Sequence, residues 1–155
     1  MDLAQMQLPL DVIAIEKIIP HRYPFLLIDK VISMVEGKSI VAIKNVSISD
    51  PILQGHFPGQ PIYPGVLMVE GIAQTAAVLG VASSKDKVEG VLLSSIDDAR
   101  FRRVVDPGTT LRYEVTLDKR RGAFCWFTGH AYVEQEIAVS AKLSAMMKFH
   151  KEVHS

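Results

Sequence analysis

The sequence predicts an α+β fold in which a curved antiparallel β-sheet wraps around one long central helix at about 66–82. Three observations predict it. The stretch Val66–Ala82 is apolar nearly all round, and a helix of that kind must be enclosed by protein. Alternating or β-branched segments bounded by Gly- and Pro-containing turns fill much of the rest. A single sheet curled round the helix covers it with the fewest elements.

Taken in order, residues 11–19 predict a short helix. Asp11 is its N-cap, Ile15, Ile18 and Ile19 share a face, and Pro20 ends it. A strand is expected at Phe25–Val35, then a turn at Glu36-Gly37-Lys38, then a second strand at Ser39–Val46. Asp50-Pro51 reads as an N-cap followed by proline at the first helical position, with Gly55 stopping that turn. The long helix follows. Gly90–Arg102 predicts a strand, apolar first and polar later. Thr109–Leu117 alternates, with Leu111, Tyr113, Val115 and Leu117 on one face. Phe124–Val133 is aromatic-rich and Ile137–Met147 alternates again. Asp106-Pro107-Gly108, Lys119–Gly122 and Glu134–Glu136 are the expected turns. A sheet of long apolar strands leaves an edge to cover, and pairing of two copies is one way to cover it.

The chain has 155 residues, is 48% apolar and 22% charged, and shows no repeat or linker, so a single domain spanning 1–155 is expected. Seventeen basic residues balance 17 acidic ones, which leaves no global field to collect nucleic acid. Cys125 is the only cysteine, so no intrachain disulfide forms, which fits a reducing, cytoplasmic setting. The N-terminal MDLAQMQLPLD lacks the layout of a secretion signal. Glu70, Gln74 and Thr75 interrupt the long apolar stretch, which therefore reads as a core helix and not a membrane insertion.

The segment GHFPGQPIYPGVLMVEGIAQ at 55–74 concentrates the chemistry. His56 sits on a loop stiffened by Pro58, Pro61 and Pro64, and Phe57, Ile62 and Tyr63 are placed to line an apolar channel beside it. The first amides of the helix have no internal partner, and Gly65 has no side chain to keep a ligand carbonyl away from its N–H. That predicts an oxyanion donor. Glu70, with Gln74 on the same face, is the acid of an otherwise apolar helix core, where burial would favour its protonated form. A base, an acid and an oxyanion donor around a dry slot suit removal of a proton next to a carbonyl with loss of a leaving group from the next carbon. The plainer alternatives are a hydrogen-bonded structural histidine and a paired polar residue inside a helix.

The segments HRYPFLLID at 21–29, VAIKNVS at 41–47, QGHFPGQPIYPGVLMVEGIAQ at 54–74 and IDDARFRRVVDPG at 96–108 together resemble the 3-hydroxyacyl-[acyl-carrier-protein] dehydratases of the FabZ type. The resemblance implies the hotdog fold, dimers assembled three to a hexamer, and no metal or organic cofactor. It implies that His56 is the catalytic histidine, Glu70 the catalytic acid and the Gly65 N–H the carbonyl polariser, with the His and Glu of one site on opposite protomers. The implied substrate is a (3R)-hydroxyacyl chain on the phosphopantetheine of acyl carrier protein, with Phe57, Pro58, Ile62, Tyr63 and Gln74 beside it. Tyr63 stands where the family usually has methionine, and either narrows the loop or adds a hydroxyl at its edge. Leu92 and Leu93 stand where relatives often have aromatics, which bears on the acyl tunnel and its chain-length preference.

Two basic clusters, Arg100, Arg102 and Arg103, and Lys119, Arg120 and Arg121, are candidate docking patches for the acidic carrier, against the plainer reading of solvated strand ends. His21, Arg22 and Tyr23 read as a structural corner, and His130 as a packed or edge residue. His150 and His154 have metal-compatible spacing but read as a polar tail. Trp126, Met146 and Met147 read as core filling. A thioesterase and a non-catalytic acyl-binding protein are the competing functions.

Overall fold

In the computed structural model, which describes residues 6–150, seven strands form one antiparallel sheet around a single long helix. Chain order is α1 (Val12–Glu16), β1 (Lys30–Val35), β2 (Ser39–Asn45), a 3-10 turn (Pro51–Gln54), α2 (Gly65–Ala82), β3 (Val88–Ile96), β4 (Arg100–Phe101), β5 (Thr110–Arg121), β6 (Phe124–Val133) and β7 (Glu136–Phe149). The sheet runs β1-β2-β5-β6-β7-β3, and β4 also pairs with β7. The expected turn at 106–108 joins elements as anticipated, and the one expected at 134–136 closes at Gln135, where β7 begins with Glu136; Gly108 and Glu134 are at positive φ.

Alternation sets which face the core. Leu111, Tyr113 and Val115 of β5 are buried, as are Cys125, Phe127, Ala131 and Val133 of β6. Helix α2 packs on β2, β5, β6 and β7, and Ile72, Val78 and Leu79 are fully enclosed. It is long and apolar enough to cross a membrane by length and composition, but 61% of it is buried inside the fold, so here it serves as the core. Gly71 allows a close approach: a Cβ there would collide with the Tyr113 phenol of β5.

Several boundaries differ from those expected. Helix α1 stops at Glu16, with Asp11 capping Ala14 N–H, and Ile18 and Ile19 continue in a turn. Residues 25–29 precede the strand. The Phe25 and Leu26 amides bond back to Arg22, and the Gln74 side chain takes the Phe25 carbonyl and the Leu27 N–H, so the sheet ladder cannot. Gly90–Arg102 is two strands, because Asp97 and the Ser95 hydroxyl turn the chain between them. Asp50 leaves its turn uncapped: its carboxylate accepts from the buried Lys44 ammonium and the Ser47 N–H. Gly55 has an ordinary φ of −99°. Strand β5 runs on through Arg121 past a bulge near Asp118, so Lys119, Arg120 and Arg121 lie on a strand and not in a turn.

Candidate active site

His56 follows the 3-10 turn, and the loop after it closes on itself. Phe57 and Gln60 exchange backbone hydrogen bonds, and Ile62 N–H donates to the His56 carbonyl at 2.9 Å. The His56 Nδ1 lies 2.7 Å from the Ile62 carbonyl oxygen. A carbonyl only accepts, so the neutral ring carries its proton on Nδ1 and Nε2 is left as the basic nitrogen. Phe57 stacks on the imidazole at 4.0 Å between centroids.

His56 lines a cavity of about 390 Å³ with Ile62, Tyr63, Gly65, Met68, Phe101 and the Arg102–Val104 segment. The Gly65 amide opens α2 without a side-chain cap from Pro64, and among the described residues it has no hydrogen-bond acceptor. It therefore points a free donor, with the helix dipole behind it, into the region beside His56. A Cβ at Gly65 would collide with the Phe101 ring, a packing reason for glycine additional to ligand access. Tyr63 lines the His56 cavity as expected, but at 1% exposed it sits in the core, so its hydroxyl is not at the loop's edge. Its ring packs where the fold, and not only the channel, needs bulk. Phe57 and Pro58 are exposed outside this cavity's walls.

Glu70 lines a different cavity of about 130 Å³, with Gln74, His21, Leu92, Leu93 and Ala145 among its walls. Among the described residues none borders both cavities, so one protomer keeps His56 and Glu70 apart. Glu70 is less enclosed than its apolar neighbours suggested: 23% of its side chain is exposed. Its Oε1 accepts from Gln74 Nε2 at 3.0 Å, and His21 Nε2 stands 3.6 Å from the same oxygen. Gln74 is itself fixed. Its Oε1 takes the Leu27 N–H at 2.8 Å, which leaves Nε2 to donate to Phe25 O and Glu70.

The two basic clusters separate. Arg102 and Arg103 border the His56 cavity, Arg102 bonded to Ser140 and Arg103 paired with Glu136, while Arg100 pairs with Asp98. Lys119, Arg120 and Arg121 lie past the other end of α2. There Phe127 and Met147 pack at Gly80, about 22 Å of helix axis from Gly65. Lys119 covers the Trp126 ring, which fits a solvated strand end. Sequence reasoning missed Phe101, Met68 and Val104 as cavity walls, and read His21 as structural only. The pairing of 21 with 70 has no local signal. Among the described residues no group of three or more His, Cys, Asp or Glu is placed to hold a metal; His154 lies outside them.

Residues 19–142 match the FabA-like domain family. The chain is 50% identical over 146 residues to the 3-hydroxyacyl-[acyl-carrier-protein] dehydratase FabZ of a Nitratiruptor species, covering 89% of this chain and 97% of the relative. It is 47% identical to the enzyme of the same name from Rhodopseudomonas palustris, covering 88% and 92%. In fold it is similar to a chain of the dehydratase heterocomplex ApeI:P from Xenorhabdus doucetiae, with a TM-score of 0.76, 20% identity and coverage of 92% and 93%. It is also similar to the E. coli PaaI protein, with a TM-score of 0.60, 15% identity and coverage of 76% and 78%. The sheet, the enclosed helix and these likenesses define a hotdog fold, and the chain belongs to the FabA-like family and, within it, to the FabZ 3-hydroxyacyl-[acyl-carrier-protein] dehydratases.

Proposed function

We propose that the protein is a hydro-lyase of fatty acid biosynthesis that converts (3R)-hydroxyacyl-[acyl-carrier-protein] to the trans-2-enoyl thioester and water. The observation that carries the reading is the Nδ1 lock on His56 beside the free Gly65 N–H, in one cavity. The thioester oxygen sits on the Gly65 amide, which stabilises the charge that grows as the C2 proton leaves. His56 Nε2 takes that proton. The C3 hydroxyl departs as water with a proton from the partner's Glu70, since the Glu70 of the same protomer opens on another cavity. Proton return from His56 to the acid through solvent resets the site.

The same reading makes the dimer the catalytic unit. Strand β3 supports it: it ends the sheet, and Leu92, Leu93 and Ile96 are 58%, 46% and 48% exposed. Three dimers per hexamer, a cytoplasmic setting and the absence of metal or organic cofactor belong to the same proposal. The substrate arrives on the phosphopantetheine arm of acyl carrier protein, and Arg102 and Arg103, at the His56 cavity, are better placed to meet it than Lys119–Arg121.

The test follows enoyl absorbance and free thiol together, using hydroxyacyl-carrier protein with wild type, His56→Ala and Glu70→Gln. Enoyl formation by wild type, lost by at least about a hundredfold in each variant, is expected. Thiol release without enoyl product would instead assign a thioesterase.

A further inference from the structure

We propose that His21 is a positioning residue for Glu70: it presents an Nε2–H to Oε1, so that the transferable proton resides on Oε2. The inference rests on the reading of Glu70 as the acid.

Its first support is the tautomer. His21 Nδ1 is buried and has no hydrogen-bond partner among the described residues. A neutral imidazole carries one N–H, and burying an N–H without an acceptor costs more than burying a bare lone pair. The proton therefore belongs on Nε2, which faces Glu70 Oε1 at 3.6 Å. That is longer than a formed hydrogen bond, and a movement of about 0.6 Å closes it. The backbone is held for this. Arg22 donates to the carbonyls of Ile19, His21 and Glu16, which pins the corner from which the imidazole projects.

The second support is the occupancy of the carboxyl. Gln74 already donates to Oε1, in an orientation dictated by the Leu27 N–H. With His21 added, two donors converge on Oε1, while Oε2 has no protein hydrogen bond among the described residues. An oxygen that receives two donors is a poor seat for a proton, so the proton sits on Oε2. The two donors also stabilise the carboxylate left when Oε2–H passes to the departing C3 hydroxyl, which leaves as water.

The surroundings add no competing charge beside Glu70. From β3 and β7 the cavity wall is apolar, formed by Leu92, Leu93, Leu143 and Ala145. The far side of His21 borders a small second cavity that includes Glu89, whose carboxylate is engaged by His150 and Lys148.

The test compares His21→Phe, which keeps the ring's bulk without an N–H, with His21→Gln, which restores a donor, in the full-length protein. Dehydration of hydroxyacyl-carrier protein is measured in wild-type and Glu70→Gln backgrounds, with thermal melts alongside. His21→Phe is expected to lower kcat by about tenfold to a hundredfold with KM nearly unchanged. His21→Gln is expected to recover most of that loss, and His21→Phe to add none in the Glu70→Gln background. Equal losses in Phe and Gln variants, a kcat untouched by His21→Phe, or a full further loss on top of Glu70→Gln overturns the proposal while leaving Glu70 as the acid. Wild-type activity in Glu70→Gln overturns both. Should His21→Phe fail to fold, His21→Met against His21→Gln makes the same comparison.

Discussion

Tyr63 carries its phenol into the core one residue before the proline that opens α2, and there its hydroxyl finds no partner among the described residues. The Tyr113 hydroxyl is likewise buried and unpartnered among the described residues. Burial, with the carboxylates of Asp50 and Asp29 adding to it, pushes the Tyr63 phenol well above its ordinary range. The phenol therefore stays protonated at any working pH and acts as a filler with one unsatisfied polar atom. Removing that atom while keeping the ring should help: Tyr63→Phe is expected to stabilise the fold by about 1 kcal/mol, read as a higher denaturation midpoint. The sign of the pH effect follows. A group whose folded value is raised contributes stability that is fully present below its unfolded value and lost as pH climbs above it, here beyond about pH 10. Wild type should lose stability in that alkaline range and Tyr63→Phe should lose less. A destabilised Tyr63→Phe would mean that the hydroxyl is satisfied after all.

Between elements, the contact of α2 with β5 depends on a missing methyl group. Gly71 lies against the Tyr113 phenol, and Tyr113 is fully buried in the middle of β5, so neither backbone can withdraw cheaply. Gly71→Ala is expected to cost about 1–3 kcal/mol by overpacking, and Tyr113→Leu in the same chain to restore part of it. A neutral Gly71→Ala in chemical denaturation would show a looser seam. Much at this scale was legible beforehand. The alternation of Leu111, Tyr113 and Val115 and the mostly apolar run after Gly65 each follow from their own composition, so strand and helix could be read locally. Residues 25–29 misled because Phe25, Leu26 and Leu27 spend hydrogen bonds on the Arg22 carbonyl and on Gln74, some 47 positions from Leu27. His56 and Gly65 were legible because loop and helix entry are contiguous. His21 and Phe101 were not, because only the folded chain brings them to Glu70 and to the helix mouth.

For the whole molecule, the separation of His56 and Glu70 into two cavities leads to a quantitative expectation. A two-fold dimer has one self-complementary interface with two equivalent sites, and each proposed site takes His56 from one protomer and Glu70 from the other. A heterodimer of His56→Ala with Glu70→Gln then holds one site lacking both groups and one site with both intact. Free exchange of equal amounts makes half the dimers mixed, so activity should return to roughly a quarter of wild type. Assembly into larger oligomers leaves this count unchanged, because the sites are internal to each pair. The measurement is enoyl production by each inactive variant alone and after unfolding and refolding the two together. Full separation of the groups within one protomer predicts recovery only in the mixture. If the pair worked within a single chain, every site would keep one defect and the refolded mixture would stay as inactive as its parts, whatever the packing along β3.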